Sequence, residues 1–138
     1  MSKALNYLGI ARMSGNIELG EENAKALVKA GKARLLLLAA DASEGTKKRA
    51  LSSLEGFRTI AAELPYTKAE LGAATGRSQC AAAAVRDLGL AAAIARALAE
   101  TDEAAFLPAA QALEEKQARQ QRRKAAKGGK TGKRRKRL

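Results

Sequence analysis

Residues 33–40 read Ala33-Arg34-Leu35-Leu36-Leu37-Leu38-Ala39-Ala40, an almost unbroken apolar run between Gly31 and Asp41. A run this short, with no polar face and with a turn former at each end, predicts a strand buried on both sides rather than a surface helix. Leucine and alanine are not strong strand formers, so length and flanks carry the assignment. A strand with two apolar faces needs helices above and below it.

The flanking sequence supplies them. On the N-terminal side, Leu5, Leu8 and Met13 recur at roughly helical spacing and stop near Ser14-Gly15, and residues 17–19 suit a short strand. Ala24, Leu27, Val28 and Gly31 follow at i, i+3, i+4 and i+7, with Gly31 placed as a helix stop. On the C-terminal side, residues 46–57 read as a helix with Leu51 and Leu54 inward, and 58–63 as a strand ended by Pro65. Thr67-Lys68-Ala69-Glu70 is a capping box opening a helix that closes around 72–76. Residues 80–85 are apolar and suit a last strand, and Asp87 then precedes a helix carrying Leu90, Ile94, Ala97 and Leu98. The expected fold is α/β, a three-layer α-β-α sandwich around a small mixed sheet, over residues 1–100. A helical extension over 101–126, with Pro108 tolerated near a start or kink, and a disordered basic tail over 127–138 complete the chain.

Charge is unevenly placed. The 138 residues carry a formal net charge of +12, and twelve basic residues with no acidic one lie from Lys116 onward, leaving the body neutral. Arg122, Arg123, Lys124, Lys127, Lys130, Lys133, Arg134, Arg135, Lys136 and Arg137 therefore form an arm suited to sequence-independent contact with a nucleic-acid backbone. The run lacks interleaved apolar anchors, so a membrane partner is not expected. Aromatic residues are 3% of the chain, so the core should be aliphatic.

Catalytic chemistry finds little to use. With no histidine the commonest general base and metal ligand are missing, and the lone Cys80 can make neither a disulfide nor a zinc site. Gly129-Lys130-Thr131 imitates the end of a phosphate-binding loop, but Lys124 stands where its first glycine belongs. Neither an enzyme nor a cofactor is expected. One cysteine and the lack of a leader-like N-terminus point to the cytoplasm, and the free protein is expected to be a monomer.

Three stretches together resemble one family. They are Leu8-Gly9-Ile10-Ala11-Arg12-Met13-Ser14-Gly15-Asn16-Ile17 continuing to Gly20-Glu21-Glu22, then Gly31-Lys32-Ala33-Arg34-Leu35 through Ala40-Asp41-Ala42-Ser43-Glu44, and finally Leu71-Gly72-Ala73-Ala74-Thr75-Gly76-Arg77 with Asp87-Leu88-Gly89 after the apolar strand. Their order and spacing resemble the kink-turn-binding ribosomal protein family, the L-seven-Ae and L-thirty-e group, especially its short bacterial YlxQ-like members, over roughly residues 3–100. The resemblance implies an α-β-α sandwich that grips a sharply bent RNA through two loops and is ribosomal or ribosome-associated. A Gly-x-Asn-Glu loop falls here at Gly20-Glu21-Glu22-Asn23, with Glu22 and Asn23 in reversed chemical order. The basic residue usually found one turn later falls at Ala26, beside Lys25. The second loop becomes Arg77-Ser78-Gln79-Cys80, without the apolar and proline residues of the archaeal pattern.

Physical chemistry gives those positions matching roles. A helix N-terminus offers free N–H groups to phosphate, Asn23 can donate and accept at a base edge, and Glu22 can accept from guanine. Lys25, Lys29, Lys32 and Arg34 are near in sequence and could add phosphate contacts, and Arg77 could stack on an unpaired base. The plainer alternative is that Glu22 complements the helix dipole and that Lys29 and Lys32 form a solvated face. A different class of function, a DNA-binding nucleoid-type protein acting through its basic tail, shares the charge pattern but not the three motifs.

Overall fold

The computed structural model describes the backbone of residues 2–137 and the side chains of residues 2–126. Ten elements follow in order: α1 (Lys3–Met13), β1 (Ile17–Leu19), α2 (Glu21–Lys29), β2 (Leu35–Leu38), α3 (Glu44–Ser52), β3 (Ile60–Glu63), α4 (Lys68–Thr75), β4 (Ala82–Val85), α5 (Leu88–Thr101) and α6 (Glu103–Arg137). The sheet order is β1-β4-β2-β3, with β2 and β3 parallel and the other pairs antiparallel.

The four-leucine strand is buried throughout, and the two-residue repeat of a strand divides it between two cores. Leu35 and Leu37, with Ala83 and Val85 of β4, face α1, α4, α5 and α6. Leu36 and Leu38, with Ala82 and Ala84, face Ala24, Leu27 and Val28 of α2 and Ala50 of α3. Alanines fill β4 because a central strand between two helix layers leaves little room; their size, not their strand propensity, suits the place.

Local caps explain several boundaries. Thr67 Oγ1 accepts from the Glu70 amide at 3.1 Å, while Glu70 Oε1 accepts from the Thr67 amide at 3.0 Å, so the capping box forms. Asp87 caps α5 through the Leu90 amide. The third helix starts at Glu44, two residues before the expected position, because Ser43 Oγ already accepts from the Thr46 amide. It ends at Ser52, not Phe57, and Leu51 lies 49% exposed while Ala50 is the buried position. Met13, grouped by spacing with Leu5 and Leu8, is 86% exposed at the end of α1, whereas those two are buried.

The largest departure lies beyond Glu100. The chain turns at Asp102 and returns over α5 as α6, burying Phe106, Ala110 and Leu113 at i, i+4 and i+7. What reads as an extension therefore supplies part of the first core. Pro108 sits inside α6 without ending it; it is exposed, so water can satisfy the carbonyl that loses its amide donor. The backbone remains helical through Arg137, past residue 127 where composition predicts a disordered tail; the lysines and arginines of that stretch are good helix formers, whereas its three glycines are not. The side-chain roles expected of Lys127, Lys130, Lys133, Arg134, Arg135, Lys136 and Arg137 lie outside the described residues.

Candidate nucleic-acid interface

β1 ends at Leu19, and Gly20 turns the chain into α2 with φ 95°, a conformation that favours glycine. The Gly20 amide donates to the Ala82 carbonyl at 2.8 Å, tying this turn to the start of β4. Gly20 offers no side chain to cap α2, so the helix begins with backbone N–H groups that no side chain caps. Asn23 Nδ2 reaches back to the Leu19 carbonyl at 3.0 Å, which fixes the turn and commits one of its amide donors.

The second loop leaves α4 through Gly76, whose φ of 77° gives a left-handed helix end. The Arg77 amide donates to the Gly72 carbonyl at 2.8 Å. A side chain on Gly72 would stand 2.7 Å from the Arg77 carbonyl and 2.9 Å from the Gln79 backbone, so the absence of a Cβ lets the loop fold back on its own helix.

These two turns, 57 positions apart in sequence, meet. A Cβ built on Gly20 would lie 3.7 Å from a guanidinium nitrogen of Arg77. Cys80, buried beneath them, donates its thiol to the Ala82 carbonyl at 3.3 Å; burial pushes the thiol pKa up, against backbone hydrogen bonds from the Gly20 side and the nearby Arg77 charge. The sequence reading also missed Arg12. Its guanidinium, from the last turn of α1, would stand 2.8 Å from a Cβ on Gly76. Gly20 to Asn23, Arg77 to Gln79 and Arg12 thus form one polar surface, with Arg77, Ser78 and Gln79 all exposed. In sequence Arg12 lies within the first family motif, just before Ser14-Gly15, which says where the helix stops but not what the side chain faces.

The acidic pair divides its labour. Glu21 pairs with Arg49 of α3 at 2.7 Å and with Lys25 at 3.3 Å. The Arg49 hydrogen bond holds its pKa at about 2, against an ordinary 4.5 and in spite of partial burial. Glu21 is therefore a brace between helices, whereas the Glu22 side chain is 85% exposed and pairs with Lys25. Because the folded pKa of Glu21 is depressed, its stabilisation is complete above about pH 4.5 and is lost as pH falls through about 2. We expect Arg49→Gln to reduce the loss of stability between about pH 5 and about pH 2.5, measured as the shift of the urea midpoint; an unchanged shift would remove the brace.

Other expected contacts are not brought to this surface. Lys29 closes the last turn of α2 and Lys32 lies just beyond it, at the far end from Gly20. The Arg34 amide bonds to Val85 at the end of β4, while Gly20 bonds to Ala82 at its start. Arg34 thus stands about one strand length, ~10 Å, from the loop pair, plus the loops themselves. Proximity in sequence misled here because α2 runs its whole length between the two ends. Arg34 instead shares a groove with Arg122 and Arg123, while Lys124 is exposed outside its lining.

With this geometry in place, the chain can be set beside known proteins. It is 33% identical over 75 residues to the RNA-binding protein YlxQ of Enterococcus faecium, covering 54% of this chain and 72% of that one. The chain belongs to the YlxQ family. No family model matches it. A protein of unknown function from Bacillus halodurans, 26% identical, superposes with a TM-score of 0.67 over 71% of this chain and 98% of its own. The 15.5 kD RNA-binding protein of Giardia lamblia, 22% identical, superposes with a TM-score of 0.58 over 71% of this chain and 83% of its own, a likeness of fold. The α-β-α architecture expected from the motifs is the one found, and this YlxQ-family chain continues past it into α6. Among the described residues no helix is long and apolar enough to cross a membrane, and no three His, Cys, Asp or Glu side chains cluster as metal ligands.

Proposed function

We propose that this YlxQ-family chain binds structured RNA without catalysing a reaction on it, at the surface where the Gly20–Asn23 and Arg77–Gln79 turns meet. The observation that carries the reading is the apposition of Arg77 to Gly20. It sets an exposed guanidinium against uncapped helix amides, a pairing suited to a phosphate beside an unstacked base. Asn23 retains one amide hydrogen and its carbonyl for a base edge, and Glu22, whose Oε1 pairs with Lys25, keeps its other carboxylate oxygen to accept from guanine. The relative from Enterococcus faecium supports RNA as the polymer. The finer form of the proposal is a kink-turn, in ribosomal RNA or elsewhere, met by a free monomer in the cytoplasm and in association with ribosomes.

The test compares the full chain on a kink-turn RNA and on a straight RNA duplex of equal length, at about 0.15 M salt. Tighter binding to the bent RNA is expected. Arg77→Ala should weaken that complex by about tenfold to a hundredfold, the worth of one charge-assisted contact of about 1.5–3 kcal/mol. Equal affinity for bent and straight RNA, or an Arg77→Ala protein that binds the bend as wild type does, would end the reading.

A further inference from the structure

At the opposite end of the sheet, six cations converge. β2 and β3 are parallel, so Arg34, one residue before β2, and Arg58, two residues before β3, emerge at the same end of the sheet. The Ile60 amide donates to the Arg34 carbonyl at 3.2 Å, and Thr59 Oγ1 donates to the Ala33 carbonyl at 2.9 Å, which locks the two starts together. α6 crosses over them. Lys116 Nζ donates to the Arg58 carbonyl at 2.7 Å. Arg119 and Arg123 follow Lys116 at i+3 and i+7, and Arg122 adjoins. A groove of about 470 Å³ lies between, floored by Leu88.

The charge here is uncompensated. Lys3, Lys25, Lys47, Arg49, Arg86 and Arg96 each face a carboxylate. None of the six groove cations has such a partner among the described residues. Burial lowers the Lys116 pKa, and Arg34, Arg119 and Arg58 push it further down. Folding alone therefore places like charges together at an electrostatic cost, which a bound polyanion would relieve. The groove is a product of α6 packing on the domain, since Phe106, Ala110 and Leu113 hold the helix where its basic face meets Arg34 and Arg58.

We propose that the groove lined by Arg34, Arg58, Lys116, Arg119, Arg122 and Arg123 is a second, preformed RNA site that holds the phosphodiester backbone of a helical segment. Arg34, taken from sequence as part of the loop site, and Arg122 and Arg123, taken as part of a diffuse arm, thus act with Arg58, Lys116 and Arg119 as one structured surface. The inference takes RNA as the polymer from the reading above, but not the loop site itself.

The probe is a plain RNA duplex with no bend, titrated with full-length protein over a series of salt concentrations. Arg58→Gln, Arg119→Gln and Arg123→Gln combined change exposed side chains outside the core. Each lost phosphate contact removes about 0.7–0.9 from the slope of log affinity against log salt, so the triple variant should be shallower than wild type by about two to three. Lys3→Gln, Lys48→Gln and Lys68→Gln combined remove the same charge from other surfaces and should change the slope by less than about one. Matching slopes for the two triple variants would overturn the groove, leaving only net charge. The loop reading is scored separately by the ratio of bent to straight RNA affinity. A ratio of about one with a lowered groove slope would fail the loop and keep the groove.

Discussion

Gly72→Ala is expected to destabilise the protein and weaken RNA binding together. In an ordinary helix interior this exchange stabilises by about 1 kcal/mol. Here the new methyl would meet the Arg77 carbonyl at 2.7 Å and the Gln79 backbone at 2.9 Å, and backbone cannot swing away as a side chain can. Overpacking costs about 1–3 kcal/mol, and neighbours this close and this rigid favour the upper part of that range, so the clash wins over the propensity gain. The chain can relax only by moving the loop that carries Arg77, Ser78 and Gln79. Urea unfolding should show a lower midpoint with unchanged slope, and the folded variant should lose preference for bent over straight RNA. A midpoint that rises would mean that the second loop does not lie against α4.

Leu113→Ala tests the other end of the molecule. Leu113 is fully buried against the first core although it lies beyond the boundary that the sequence suggests at Glu100. Truncating a buried leucine costs about 2–5 kcal/mol, a large share of the stability of a domain of this size. Gln111→Ala, two residues away and exposed, should change stability by less than about 0.5 kcal/mol. Equal, small effects from the two would make α6 an appendage and would remove the support of the basic groove. A large Leu113 effect would also lower RNA affinity through the groove, because the cations of α6 reach Arg34 and Arg58 only while the helix is docked.

Much of the architecture was legible because its signals are local. The Leu35–Leu38 run had no polar face to show water, the Thr67 and Glu70 pair could satisfy two amides within one turn, and Asp87 stood one residue before an apolar helix. The two turns of the candidate site were legible through the family motifs and their glycines. Arg12 was not, because it meets Gly76 across two elements and nothing in its neighbourhood records that contact. Leu51 and Met13 misled because apolar spacing alone does not say which face a short helix buries. Arg34 was grouped with Lys25 and Lys29 by sequence distance, whereas the antiparallel partnering of β4 sets Gly20 against one of its ends and Arg34 against the other.

By itself, then, the amino-acid order determined a helix-covered sheet, its principal caps and glycine turns, a neutral body and a cationic end, since hydrophobic period, backbone conformation and charge are properties of neighbouring residues. Only the tertiary structure decided that Arg77 lies over Gly20, that Leu113 belongs to the core, and that Arg34 and Arg58 share a groove with α6. Those contacts depend on strand register and on how the last helix packs, and both are settled by burial among residues far apart in the chain.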